Sequence, residues 1–436
     1  MKTILMGLGV IAALGFSCTS KPSAPAGADP LATPTLAVAG GAPQVDRAAE
    51  APAPMPEPTT RRTTSAKLAV ANLASQIDGA RRAYAAHPEQ LAFAERLTEL
   101  YLARAQLLGM TNDYLPALKV ADDAVARAPD DPRAYLMRAH LRTAVHRFAD
   151  ALADLEAARA RGADPKVIAT RITATRVAAG GGDAEAALAA ADAQLAIRES
   201  YTTLVQRAAA LIGLGRYADA DAAFTQAAAA YTDVSPFALA WVDFQRGVMW
   251  AERANQPDKA RPLYEAAVAR LPQYAVASVH LAELYAESGE LDRAIALLEP
   301  IAAASEDPEP KGYLGELLLE KAGDDDPALA ERARASIAAA RAGYDALLRD
   351  LPEAFADHGA EFFAGPGDDL ERARQLAAKN LDNRPTPRAY GLAIRLADAA
   401  GDTTMACGLA ARAREGRVTP NLEEVLEQNA GSCSPR

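Results

Sequence analysis

Five histidines stand in this 436-residue chain, at positions 87, 140, 146, 280 and 358, and they are the first residues to test for catalysis or metal binding. None belongs to a His-Glu-x-x-His pair, the spacing that puts two imidazole nitrogens and a carboxylate on one helix face. All five read as solvated or core residues. Asp357 beside His358 is a single suggestive neighbour pair, and without a nucleophile it reads as a helix-surface pair. Two stretches match G-x-G-x-x-A, GLGVIA at 7–12 and GLGRYA at 213–218, but neither follows a strand, so no dinucleotide site is implied. Gly180, Gly181 and Gly182 lack the Lys-Ser/Thr of a phosphate loop, and no G-x-S-x-G elbow occurs. The acidic run Asp324, Asp325, Asp326 lacks the twelfth-position Glu of a calcium loop and reads as solvated. The expectation is a chain without catalytic, cofactor-binding or metal-ligating residues, and without a small-molecule substrate. The alternative is an envelope enzyme, or enzyme subunit, with a site around His358.

Composition points the same way. With 57 acidic against 46 basic residues the net charge is -11, leaving no basic field to neutralise a phosphate backbone, so nucleic acid is excluded as a partner. Half of the residues are hydrophobic but only 6% are aromatic, and alanine dominates. Closely packed helices use such side chains; sheets want β-branched and aromatic ones. The fold class expected is all-α.

Residues 1–18, MKTILMGLGVIAALGFSC, carry one charge at Lys2, an apolar run from Ile4 to Phe16 and a terminating cysteine. This is the build of an export signal, too short for a mature membrane span. The Leu-Gly-Phe-Ser-Cys ending resembles a bacterial lipobox, with Leu14 four rather than three residues before Cys18. That resemblance implies lipidation of Cys18 and attachment to a membrane through it; the alternative is a plain cleaved signal. Thr19 rather than Asp follows, which by resemblance to enterobacterial lipoproteins implies an outer-membrane lipoprotein facing the periplasm. Residues 19–65 are crowded with Pro, Ala, Gly and Thr and have no helical period. Such a segment buries too little surface to offset its ordering entropy and reads as a disordered tether; an inert spacer is the alternative.

From Ala66 the chain is periodic. In NDYLPALKVADDAVARAPDD an aromatic at Tyr114 is followed by Ala117, Ala121, Ala124 and Pro129; the next copy begins at Phe148 with Ala151, Leu155 and Ala158, and 148 − 114 gives a period of 34. The pattern returns at Tyr217, Ala220, Phe224 and Ala227, at Ala260, Tyr264, Ala267 and Pro272, and at Leu291, Ala294, Leu298 and Ile301. Weaker copies centre on Ala187 and Ala191, on Ala373 and Ala377, and on Ala406, Ala410 and Ala413. These offsets resemble the second helix of the tetratricopeptide repeat, and HLAELYAESGEL, with Leu281, Ala282, Tyr285 and Gly289, resembles its first. Small residues are required where two helices approach closely, and proline where a helix stops. The resemblance implies a right-handed α-solenoid of stacked antiparallel hairpins over 66–430, about eight repeats, irregular at 310–366, with a tail at 431–436. The surplus around ARAQLLGMTND predicts a hairpin about one turn taller on each side, with a protruding tip.

If Cys18 is acylated, Cys407 and Cys433 remain, and an oxidising compartment favours a disulfide between them that staples a capping helix to the last repeat; two free thiols are the alternative. The family resemblance further implies a concave groove lined by first helices, at Leu136, His140, Val205, Ala209, Val279 and Glu283. These positions lean apolar, so the expected partners are other proteins or peptides, held as an apolar helix or extended segment by a non-catalytic scaffold in the cell envelope. A mechanical spacer is a further alternative.

Overall fold

The computed structural model describes residues 55–430 and Cys433. Within them lie twenty α-helices and no strand. Helix α1 (Ala66–Ala86) leads into nine hairpins: α2 (Leu91–Leu108) with α3 (Tyr114–Arg127), α4 (Pro132–Ala144) with α5 (Phe148–Ala160), α6 (Pro165–Ala178) with α7 (Ala184–Ile197), α8 (Tyr201–Gly213) with α9 (Tyr217–Ala230), α10 (Phe237–Val248) with α11 (Pro257–Arg270), α12 (Ala275–Glu287) with α13 (Leu291–Ala304), α14 (Pro308–Ala322) with α15 (Pro327–Asp350), α16 (Pro352–Ala364) with α17 (Leu370–Asn383), and α18 (Pro387–Ala399) with α19 (Thr403–Arg414). Helix α20 (Pro420–Ala430) packs on α18 and closes the array. The aromatic or leucine of each clear sequence copy is the first residue of a second helix: Tyr114, Phe148, Tyr217 and Leu291 open α3, α5, α9 and α13.

Local chemistry sets these starts. Asp131, Asp164 and Asp307 accept a hydrogen bond from the second backbone N–H of α4, α6 and α14, and a proline fills the first helical position, where no N–H is needed. The alanines between paired helices are fully buried, among them Ala121, Ala151, Ala220, Ala294 and Ala373. Their small side chains let helix backbones approach, which is why the composition is alanine-rich.

The solenoid winds back on itself, so that residues of one turn meet residues of the next. Gly109, after α2, accepts hydrogen bonds on its carbonyl from Glu306 N (3.0 Å) and Asp307 N (2.9 Å), ahead of α14. His146, between α4 and α5, meets the Glu353 carbonyl at the start of α16 (3.2 Å). Arg384, between α17 and α18, donates from Nε to the Ala178 carbonyl at the end of α6 (3.0 Å). Asn255, ahead of α11, reaches Glu424 on α20 (3.4 Å). The first three contacts advance one hairpin on each side from one to the next, and the fourth advances two on one side and one on the other, so the edges of successive turns interlock.

Four expectations need correction. The array has nine hairpins rather than about eight. Residues 310–366 form helices α14, α15 and α16 with short turns at 323–326 and at Leu351; the irregularity is one of length, since α15 runs for 24 residues. The surplus near ARAQLLGMTND lengthens only α2, to 18 residues, and adds the short 3₁₀ turn Thr111–Asp113, while α3 keeps 14; its tip does not protrude but docks on the next turn at Ser305 and Asp307. Finally, the last part of the segment read as a disordered tether is bound. Thr59 donates from N (3.1 Å) and Oγ1 (2.6 Å) to the Asp243 carboxylate; Arg246 donates to the Glu57 carbonyl (2.8 Å); Arg270 donates to the carbonyls of Thr59 (2.6 Å) and Arg61 (2.8 Å). Main-chain groups of 56–64 are thus read by charged side chains on α10 and α11, a contact that composition does not encode. The export signal, Cys18 and tether residues 19–54 lie outside the described residues.

Candidate functional site

The first helices from α10 to α18 carry a buried ionic network where they converge. Glu309 on α14 meets His358 on α16, Oε1 to Nδ1, at 3.0 Å. Asp357 accepts from Arg388 of α18 (3.2 Å), and Glu361 takes the other arm of the same guanidinium at 2.6 Å. On α12, the His280 Nδ1 lies 3.4 Å from Glu283 and 3.6 Å from Glu252. Glu252 belongs to Met249–Arg253, a π-helical turn that follows α10 and re-aims its side chains relative to a regular helix. Helix α12 packs on α14, α14 on α16 and α16 on α18, so successive first helices line one side of the array.

Two electrostatic regimes share this network. Burial alone would depress His358, but the Glu309 and Asp357 carboxylates outweigh it and push its pKa up to about 10. Burial would likewise raise Asp357, yet His358, Arg388, His146 and Arg384 hold it well below the usual carboxylate range. This half is a satisfied ion network. In the other half burial dominates: it raises Glu252 to about 7, and it raises Glu283 and Glu361 against weaker help from Arg388. Both carboxylate oxygens of Glu252, Oε1 of Glu283, Oε2 of Glu361, Nε2 of His280 and the Tyr264 hydroxyl are buried without a hydrogen-bond partner. A buried polar atom left unpaired costs about 1–3 kcal/mol.

The six groove positions do not form one open apolar groove. Val205 and Val279 are completely buried in inter-helix packing; Leu136, His140 and Ala209 are half-buried; Glu283 is buried in the acidic half of the network. Of the six, only Glu283 belongs to the charged cluster where the first helices converge. Asp357 is buried, and His358 keeps a side chain only 13% exposed, so the pair is not a solvated helix-surface pair. Sequence reasoning passed over Glu252, Glu309, Glu361 and Arg388. Their only signal was a charge recurring on successive first helices, with His280 and Glu283 at i, i+3 and Asp357 and Glu361 at i, i+4. Among the described residues no group of three or more His, Cys, Asp and Glu is arranged to hold a metal ion. The structure joins Cys407 on α19 to Cys433, 5.4 Å apart at Cα, and Asn429 of α20 donates to Asp398 (2.6 Å), so the last turn of the chain is tied to α18 and α19.

Comparison with known proteins finds likenesses to helical-repeat proteins. The tetratricopeptide repeat family model matches residues 251–317, from the π turn through most of α14. The human IFIT1 dimer with PPP-AAAA is similar at 16% identity and TM-score 0.44, covering 74% of this chain and 71% of that one. Yeast Tom70 covers 84% and 94% at 16% identity and TM-score 0.33, and the P58(IPK) TPR domain covers the same shares at 15% and 0.27. No curated protein matches the chain. The class defined by the fold is a tetratricopeptide-like α-solenoid.

Proposed function

We propose that this chain is an exported, non-catalytic scaffold, lipid-anchored through Cys18 to the outer membrane and facing the periplasm, that holds a charged segment of a partner protein against the converging first helices α10 to α18. The observation that carries the reading is the tetratricopeptide repeat match over residues 251–317 within an array of stacked hairpins whose first helices bring Glu309, Asp357, His358, Glu361 and Arg388 together. The signal-like residues 1–18 support export, and the Cys407–Cys433 bond suits an oxidising compartment.

Crosslinked capture from envelopes tests the holding role. Arg253 is half-buried beside Glu252, and reversing its charge with Arg253→Glu changes the inner surface without removing a packing side chain. Partners of the wild type are expected to be lost from the variant; an unchanged set would rule out this surface. Anchoring is read separately: Cys18→Ser is expected to move the protein from the membrane pellet to the soluble periplasmic fraction, and continued sedimentation with membranes overturns lipidation at that residue.

A further inference from the structure

The segment 56–64 lies across α9, α10 and α11 as a ligand lies in a binding site. One edge of an extended chain faces the array: the carbonyls of Glu57, Thr59 and Arg61, at alternate positions, accept from Arg246 (2.8 Å) and Arg270 (2.6 and 2.8 Å). Thr59 is the residue read most closely. Its hydroxyl donates to Asp243 (2.6 Å) and accepts from Arg270 (2.9 Å), while its N–H donates to the other oxygen of the same carboxylate (3.1 Å). Valine there would lose both hydroxyl bonds, and proline the N–H as well. Arg61 and Thr64 add side-chain bonds to the carbonyls of Ala229 and Val234, each 3.2 Å. Met55 and Glu57 each precede a proline, whose ring holds them extended, so the chain loses little further freedom on docking.

The seat is built without the segment's help. Arg246 donates from Nε and Nη2 to Asp221 of α9 (2.8 and 2.9 Å), and Trp250 Nε1 fixes the same carboxylate (3.1 Å), which leaves the Arg246 Nη1 for a ligand carbonyl. Asp243 keeps Arg246 as a counter-ion at 3.6 Å. In the segment itself only Pro56 is buried, while Glu57, Thr60, Arg61 and Arg62 are exposed. Undocking therefore returns polar groups to water and uncovers little apolar surface. We propose that this seat on α9, α10 and α11 is a peptide-binding site, filled in cis by residues 56–64 and taken in trans by an extended Pro-x-Pro-Thr or Pro-x-Pro-Ser segment of a partner protein. The partner rests on the scaffold reading above; the class of segment follows from the cis occupant, whose main chain and one hydroxyl are read while its other side chains face solvent. Joined to α1 through Ser65, the cis segment competes at an effective concentration on the order of millimolar, so a free peptide enters only when that segment leaves.

Fluorescence anisotropy of the full chain with the labelled peptide MPEPTTRRTT, residues 55–64, tests the seat. Thr59→Pro in the protein disables the cis segment, and this variant is expected to bind the peptide saturably and at least about tenfold more tightly than wild type. Adding Arg270→Ala to the variant, or placing Thr59→Val in the peptide, is expected to weaken binding at least about tenfold. Circular dichroism checks the fold. No saturable binding to the folded Thr59→Pro chain, affinity no better than wild type, or binding left unchanged by Arg270→Ala or by the altered peptide overturns the site. Hydrogen exchange of the wild type is a second reading that needs no variant. The Thr59 and Thr64 amides are expected to exchange faster than those of α10, because the segment undocks while the helix stays folded; equal protection makes the segment part of the core and overturns a seat open to partners. A chain that captures envelope partners yet binds no such peptide loses this seat and keeps the scaffold. Peptide binding by a chain that captures nothing keeps the seat and overturns the partner.

Discussion

At the residue scale, the inner network makes stability depend on pH in two opposite-looking ways that share one sign. Glu252 has its pKa raised by burial from 4.5 to about 7, so the unfolded chain releases this proton first; folding stability is fully present below pH 4.5 and falls as pH rises toward 7. Glu252→Gln keeps the shape and removes the charge. It is expected to abolish that decline and to stabilise the protein near neutral pH by up to about 3 kcal/mol, read as the difference between urea unfolding curves at acid and neutral pH. His358 is a cation stabilised by two carboxylates. With a folded value of about 10 against 6.5, its contribution is complete below pH 6.5 and is lost as pH climbs through 10. His358→Gln leaves Glu309 and Asp357 without their shared cation and is expected to cost about 3 kcal/mol at neutral pH, where Glu252→Gln stabilises. Equal effects of the two variants would mean that the network is not divided as described.

Elements tell a different story about legibility. The second helices were readable because their alanines recur at fixed offsets and burial enforces that spacing; Ala373 and Ala377 place α17 even though its hairpin partner contains the irregular FADHGAEFFAG. First helices were harder, since their functional side chains are single charges whose partners lie on other first helices. Glu309 and His358 are 49 positions apart, and no local period connects them. The bound segment 56–64 was illegible for a further reason: its Pro/Thr composition signals weak self-structure, whereas its order comes from Asp243, Arg246 and Arg270. Turns between helices carry a sharper constraint. Gly180, between α6 and α7, has φ +82°, and a β-carbon there would lie 2.9 Å from the Pro385 carbonyl carbon of the next turn. Gly180→Ala is therefore expected to destabilise by about 2 kcal/mol through left-handed backbone strain plus the clash, measured by urea unfolding. At the end of the array, reduction of the Cys407–Cys433 bond, which closes a 26-residue separation, is expected to cost about 3 kcal/mol and to raise hydrogen exchange first in α20.

At the largest scale, the decisive feature of residues 56–430 is that successive turns touch, so that an extendable repeat ribbon is braced by contacts between its turns. An isolated solenoid is stabilised by neighbour-to-neighbour contacts alone, so opening one seam frays it locally. Here Leu102 and Leu118 of α2 and α3 share a buried cluster with Leu347 and Phe355 of α15 and α16, and Tyr114 meets the Phe355 ring edge-on at 6.2 Å. Residues more than 200 positions apart thus depend on each other. Phe355→Ala removes the largest side chain α16 contributes to it and is expected to cost about 3 kcal/mol. The more informative reading is shape. If the seam holds the turns together, small-angle scattering of the folded variant shows a larger radius of gyration than wild type, and exchange protection falls jointly at Gly109, His146 and the α15–α16 junction. Loss of stability with an unchanged radius and with protection lost only within α16 would make the seam an ordinary core contact, and the turns would be held together by the other interlocked edges.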